Sequence, residues 1–455
     1  MRNPMFVFDE ELTTLILDYC RWRLALDPVP LDFGGAQASS LAHSLDGLIN
    51  PEGTDPRRIM AIFDNELATA VVSCDSPRFL SFIPAAPTKA SLLFDMVVAC
   101  SSLQGTSWME AAGAVAAENQ ALGVLADLAG LPSGAGGCFV SGGSAGNLSA
   151  LMVGRDTAAH RMGDRAPRHP LIAISEEAHS SVGKALRVLG VESLLVPCED
   201  HRLTGRGLRA ALDGHPRGGD AIGVVATGGT TNAGIIDDLA GVGEVARERS
   251  LWFHVDGAYG CAALLAPSIR HRFDGIEMVD SFVVDPHKWL FAPFDCAALI
   301  YREPHLAKAV HTQDASYLDV LHKEAPGEWN PSDYAYHLTR RARGLPLWFS
   351  LAVNGTDAYR DAVETVLAVT QASADVIERI PYLELVRRPE LSVVLFRRIG
   401  WDRDAYERWS AQLLHDQIGF VVPTTWEGEA VGRLALLHPD TTVGIIEEIL
   451  ATMAD

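Results

Sequence analysis

The sequence lacks basic runs, paired cysteines and long apolar stretches, and each absence removes a class of function. Lys and Arg total 37 against 58 Asp and Glu, a net charge of −21. A surface this acidic repels nucleic acid and anionic lipid, and no basic–aromatic interleaving offsets it, so neither is expected as a partner. The seven cysteines are odd in number, scattered and never spaced C-x-x-C. That gives no basis for a disulfide framework, so reduced thiols in the cytoplasm are expected, and no metal site. Cys138 in "GCFV" and Cys261 in "YGCAALL" read as buried packing residues. No uninterrupted apolar run approaches the length of a membrane span, and the charges in "MRNPMFVFDEELTTLILDYCRWRL" come too early for a signal peptide. No period of 20 to 50 residues repeats and no segment is low-complexity.

What is present is a globular composition: 48% hydrophobic and 21% charged residues in a chain of 455. That length exceeds one typical core. Residues 9 to 27 and 57 to 73 read as amphipathic helices, and "SCDSPRFLSFIPAAP" as a Pro-punctuated loop. An Ala-rich helix over 110 to 128 is stopped by "GLPSGAGG". From 137 the texture changes. "GCFV", "LIAIS", "AIGVVAT", "LWFHVD" and "SFVVD" are short apolar runs, each ending in a polar, Gly-containing or Pro-containing turn and separated by helical segments. Continuous rather than alternating apolar strands argue for a parallel sheet covered on both faces. From about 345 a long helix, "LSVVLFRR", "GFVVP" and a final helix read as a smaller α+β domain. The expected division is 1–75 as an N-terminal helical segment, 76–345 as the large domain and 346–455 as the small one.

Ligands of such folds collect beyond the carboxyl ends of the strands, and that is where the chemistry-bearing residues fall. "SGGSAGN" (141–147) sits between a strand and a helix, where backbone N–H groups and the helix dipole favour an anion. It matches neither the P-loop nor the G-x-G-x-x-G pattern. "AHSS" puts His179 at the next strand-to-helix turn. "HVDGAYG" ends a strand on Asp256, a carboxylate that needs a partner if buried. "DPHKWL" puts Lys288 at the end of the following one. Singly, each could be only a turn, a cap or a surface charge. Together they offer an anion cradle, a flat ring, a buried acid and an amine, the set pyridoxal 5′-phosphate requires.

The ordered motifs "SGGSAGN … AHSS … TGGTTNAG … HVDGAYG … DPHKWL" resemble the group II pyridoxal-phosphate-dependent decarboxylases. This is the family of aromatic-L-amino-acid decarboxylase and glutamate decarboxylase, and the resemblance runs from about residue 78 to the C-terminus. It implies fold type I of the pyridoxal-phosphate-dependent transferases: a mostly parallel sheet in a large α/β domain, with a small C-terminal α+β domain. It implies that Lys288 holds the cofactor as a Schiff base and that Asp256 pairs with the pyridine nitrogen. His179 would stack on one ring face, and Ala258 would leave room on the other. Ser144, Ala145 and His287 would hold the phosphate, and of Thr230 and Thr231 the spacing to Asp256 favours Thr231. Tyr317 corresponds to the family's loop tyrosine that protonates Cα, with His322 in the same loop to assist it. Phe82, Ala85, Gln104 and Thr106 fall in the substrate-binding segments.

The implied reaction is decarboxylation of an L-α-amino acid to its amine. The alternatives are decarboxylation coupled to oxidative deamination, giving an aldehyde, and a cofactor-binding protein without turnover. Retention of Tyr317 and His179 favours the first. The resemblance also implies a homodimer wrapped by N-terminal helices. Three departures stand out: Asp285 where the aromatic branch often has Asn, polar Gln104 and Thr106 where bulky apolar walls are usual, and Ala85 where Thr is common.

Overall fold

A computed structural model describes residues 3–31, 37–83, 86–313, 316, 325 and 327–454. Three helices open the chain: α1 (Glu10–Leu24), α2 (Ala38–Leu45) and α3 (Pro56–Ile62). Asp9 and Asp55 cap α1 and α3 by accepting hydrogen bonds from Leu12 N–H and Arg57 N–H, while none of the three buries a residue in this chain. Two longer helices follow, α4 (Lys89–Cys100) and α5 (Trp108–Leu128). Thr88 and Ser107 cap these in the same way.

The strand-and-helix alternation is β1 (Gly136–Val140), α6 (Gly143–Met162), β2 (Leu171–Ser175), α7 (Ser180–Leu189), β3 (Glu192–Val196), α8 (Gly205–Gly214), β4 (Ala221–Thr227), α9 (Leu239–Arg249), β5 (Trp252–Asp256), β6 (Ser281–Val284) and β7 (Ala297–Tyr301). These strands form one seven-stranded sheet in the order β1-β7-β6-β5-β4-β2-β3. Only β7 runs against its neighbours; the other pairings are parallel. Every residue of β1, β2, β5, β6 and β7 is buried, which is why their sequences are continuous apolar runs rather than alternating ones. β1, β2, β4, β5 and β6 therefore all end on the same edge of the sheet, and the five polar turns gather there.

After α10 (Pro304–His311) comes α11 (Leu345–Arg379), interrupted by non-helical Gly355 at φ 78° and ψ 156°. A left-handed break of this kind is open to glycine and strained for other residues. The remainder is β8 (Leu383–Leu385), β9 (Val393–Arg398), α12 (Arg403–His415), β10 (Thr424–Trp426), β11 (Glu429–Ala435) and α13 (Val443–Ala451). Its strands form a second, antiparallel sheet in the order β10-β11-β9-β8. The expectation of a mostly parallel sheet plus a smaller C-terminal α+β unit is what the structure has. The two units share one hydrophobic core, in which Leu391 and Phe396 belong to the same cluster as Phe253 and Phe282.

Candidate active site

A cavity of about 770 Å³ opens at the carboxyl edge of the large sheet. Ser144 and Ala145 reach it from the first turn of α6, His179 from the cap of α7, Thr231 from the turn after β4, Asp256 and Ala258 from β5, and His287 and Lys288 from the turn after β6. Close packing builds that edge. A Cβ on Gly143 would meet Ala258 Cβ at 3.0 Å and Asp285 Oδ1 at 3.1 Å, so glycine there lets the α6 N-terminus approach the turn after β6. A Cβ on Gly257 would lie 2.0 Å from Cys261 Sγ, which forces glycine beside Asp256.

Lys288 Nζ lies 3.0 Å from Asp285 Oδ2, and Asp285 also accepts from Gly143 N–H at 3.2 Å. Asp285 Oδ1 is buried without a partner. His287 Nδ1 accepts from Cys296 N–H at 3.0 Å, so the proton of its neutral ring sits on Nε2. Burial lowers its pKa, the Asp285 charge opposing and Lys288 assisting that shift. Asp256 is buried and, among the described residues, met by N–H donors alone: Asn147 Nδ2 at 2.8 Å on Oδ2 and Ala258 N at 3.2 Å on Oδ1. That is the pattern a carboxylate accepts. His179 caps α7, its Nδ1 accepting from Ser181 N–H at 3.2 Å and lying 2.8 Å from Ser181 Oγ. Of the paired threonines, Thr230 is buried with its Oγ1 accepting from Ile235 N–H, holding the turn, while Thr231 faces the cavity.

An amine, a donor-bound acid, an imidazole and the N-terminus of a 20-residue helix thus face one space. The donor set fits a phosphorylated pyridine aldehyde: cationic helix end for the phosphate, acid for the ring nitrogen, amine for the aldehyde.

Comparison with known proteins decides the family. The model of the pyridoxal-dependent decarboxylase conserved domain matches residues 43–399. The chain belongs to the pyridoxal-dependent decarboxylase family. An aromatic-L-amino-acid decarboxylase of Bacillus atrophaeus is 27% identical over 425 residues, covering 91% of this chain and 87% of the relative. An L-2,4-diaminobutyrate decarboxylase of Rhizobium meliloti is 30% identical over 378 residues, covering 80% of this chain and 74% of its own. The fold matches that of Catharanthus roseus tryptophan decarboxylase, solved with L-tryptophan, at a TM-score of 0.89 and 22% identity, covering 98% of each chain. The cofactor of this decarboxylase is pyridoxal 5′-phosphate.

All eight residues expected to bind the cofactor line the one cavity. The substrate candidates do not join them in a single chain. Phe82 is 61% exposed beside Phe79 and Phe420. Gln104 donates to Glu110 Oε1 at 2.8 Å, and Thr106 is buried with its Oγ1 unpartnered. Ala85, Tyr317 and His322 lie outside the described residues. Trp289 is fully buried and stacked on Tyr259, as packing. No helix among the described residues is long and apolar enough to cross a membrane.

Sequence reasoning gave no role to Asn147, Ser181 or His254. Asn147 Nδ2 donates to Asp256, Asn147 Oδ1 lies 2.9 Å from His254 Nε2, and His254 Nδ1 lies 2.9 Å from Ser281 Oγ. A signal existed in "HVD": residues two apart on a strand share a face, so His254 and Asp256 point to the same side of the sheet.

Proposed function

We propose that the enzyme decarboxylates an L-α-amino acid to the corresponding amine. The observation that carries this is the convergence of Lys288, Asp256, His179 and the α6 N-terminus on one cavity. When bound, the cofactor supplies an electron sink for the pair released from the Cα–carboxylate bond. In this reading Lys288 is the amine that carries the cofactor covalently and yields it to the substrate amine. Asp256 accepts a hydrogen bond from the ring nitrogen and keeps negative charge beside it. His179 packs its imidazole on the ring, and Ala258 is small enough to leave the other face clear. Ser144, Ala145, Thr231 and the Nε2–H of His287 supply donors to the phosphate end. Tyr317 delivers a proton to Cα, a step that requires water to be excluded from the site.

The chain acts as a homodimer in this proposal, because a single chain leaves Phe82, Gln104 and Thr106 away from the cavity. It also exposes Leu12, Ile16, Leu17 and Trp22 on α1, an apolar set that a second copy would cover. The Gln104–Glu110 pair makes that substrate wall polar, so polar and cationic amino acids head the candidates.

The test is reconstitution with pyridoxal phosphate followed by a panel of amino acids scored for amine, carbon dioxide and hydrogen peroxide. Amine without peroxide is expected, and visible absorbance of the bound cofactor should be lost in Lys288→Ala. Peroxide in step with carbon dioxide would replace this reading with the aldehyde-forming one. Tyr317→Phe should lower amine yield; an unchanged yield removes Tyr317 from its role. Light scattering at a single-chain mass would end the dimer proposal.

A further inference from the structure

A single polar chain runs from the core of the large sheet into the cofactor cavity, and donor–acceptor rules fix its direction. Asp256 accepts on both oxygens, from Ala258 N–H at Oδ1 and from the Asn147 amide nitrogen 2.8 Å from Oδ2. Asn147 therefore turns its carbonyl Oδ1 to His254 Nε2, 2.9 Å away, and that nitrogen must carry the imidazole proton. His254 is wholly buried, and burial pushes its pKa down to about 4 against the opposing Asp256 charge, so the ring is neutral near pH 7 and has one proton only. Its Nδ1 must then accept from Ser281 Oγ, which in turn accepts from Trp252 Nε1–H at 3.0 Å.

The second N–H of the Asn147 amide donates to Ser181 Oγ, which lies 3.1 Å from Nδ2. Ser181 thereby gives its own proton to His179 Nδ1, which the Ser181 backbone N–H already marks as an acceptor. One carboxamide thus touches the acid and, through one hydroxyl, the stacking imidazole. Asn147, His254 and Ser281 are each no more than 1% exposed, so water cannot substitute for a missing link.

We infer that Asn147 is a positioning residue that fixes Asp256 as an anionic acceptor and His179 in its Nε2–H form, and that His254 locks Asn147 in the one orientation able to do both. The inference rests on the reading of Asp256 as the ring-nitrogen partner. Asn147→Asp is nearly isosteric and keeps an acceptor for His254, but it replaces the donor to Asp256 with a second carboxylate. One proton taken up from solvent is then shared between two acids, so the single negative charge is spread over the pair instead of resting on the carboxylate that faces the ring nitrogen.

The experiment uses the full chain, freed of cofactor and then titrated with pyridoxal phosphate labelled with nitrogen-15 in the ring. Three quantities are read: melting without cofactor, the dissociation constant from visible absorbance, and the ring-nitrogen chemical shift. Asn147→Asp should melt like the parent, bind about tenfold or more weakly, which is about 1.4 kcal/mol, and move the ring-nitrogen shift toward its unprotonated value. His254→Leu should move affinity and shift the same way, and His254→Gln, which keeps a donor toward Asn147, should recover most of both. This second pair carries the test if the first variant melts early. Asp256→Ala is the benchmark. If it changes neither affinity nor shift, the assignment of Asp256 falls and this inference falls with it. If it changes both while folded Asn147→Asp or His254→Leu matches the parent, this inference alone is overturned.

Discussion

Arg340 and Glu118 form an ion pair sealed from water, with side chains 0% and 2% exposed. Arg340 Nη1 and Nη2 each donate to a Glu118 oxygen at 2.8 Å, Nη1 also donates to Gly105 O at 2.6 Å, and Gly344 N–H donates to Glu118 Oε1 at 2.8 Å. The pair thus ties α5 and the start of α11 to the Gln104–Thr106 segment. Arg340→Met leaves a carboxylate with one donor in a dry site, a loss of about 3–5 kcal/mol. Glu118→Leu strands the guanidinium and should cost a similar amount, about 3–5 kcal/mol. The double variant strands neither charge. Its remaining losses are one hydrogen bond each at Gly105 O and Gly344 N–H, about 2–3 kcal/mol together. The singles therefore sum to well above the double, and the coupling should be at least about 3 kcal/mol. Equilibrium urea unfolding of the four proteins, followed by far-ultraviolet circular dichroism, measures it. Additivity to within about 0.5 kcal/mol would refute the claim that stranded charge, rather than lost contacts, sets the cost.

His201 bridges Glu177, on the cavity wall, at 3.0 Å and Glu427, in the β10–β11 hairpin, at 3.1 Å. Burial alone would lower its pKa, but the two carboxylates outweigh burial and raise it. A raised folded value means the bridge stabilises fully below the unfolded pKa of about 6.5 and fades as pH rises through the folded one. His201→Gln should therefore cost stability at pH 6, on the order of 1 kcal/mol or less after solvent screening, and little at pH 9; equal urea midpoint losses at both would exclude the mechanism. Gly257→Ala should weaken pyridoxal phosphate binding about tenfold by pushing Asp256 aside, with Cys261→Gly in the same chain restoring it; absence of restoration points away from the Cys261 clash. Free pyridoxal phosphate at 100 times its dissociation constant should stabilise the parent by about 2.7 kcal/mol in urea, and the same concentration should stabilise Lys288→Ala less.

The large-sheet strands were legible because each is buried on both faces, which writes it as a short unbroken apolar run bounded by a polar turn. The one fully buried strand that runs the other way, β7, carries the same signature, so its direction could not be read from composition. β3 escaped notice for a different reason. It is an edge strand with exposed Glu192, Ser193 and Leu195, so burial alternates only from Ser193 to Val196, and an exposed leucine hides that alternation in the sequence. Helix α4 hid behind the prolines that precede it, although Thr88 marks its cap. The interruption of α11 at Gly355 was also unreadable, because an isolated glycine in a helical pattern is more often tolerated than a break.

The same logic explains why the cofactor site was more legible than the substrate site. The residues expected to bind the cofactor sit where a parallel sheet must turn, so glycine, acid, histidine and lysine stand out against apolar neighbours, and the shared strand edge brings them to one cavity. Asn147 and His254 lie one layer deeper, inside α6 and β5, where a polar residue looks like an isolated exception until its partner on another element is known. The link between them spans 107 residues of chain and is invisible to any local pattern. Phe82, Gln104 and Thr106 pose the opposite difficulty. Their types are plain in the sequence, but one chain does not bring them to the cavity, so a substrate role for them rests on the homodimer proposed above. If the proposed homodimer forms, specificity is a property of the assembly, whereas the residues proposed to hold the cofactor all lie on one chain's own sheet edge. Substitutions at Asn147 should accordingly be felt in cofactor affinity before substrate choice, and substitutions at Gln104 in the reverse order.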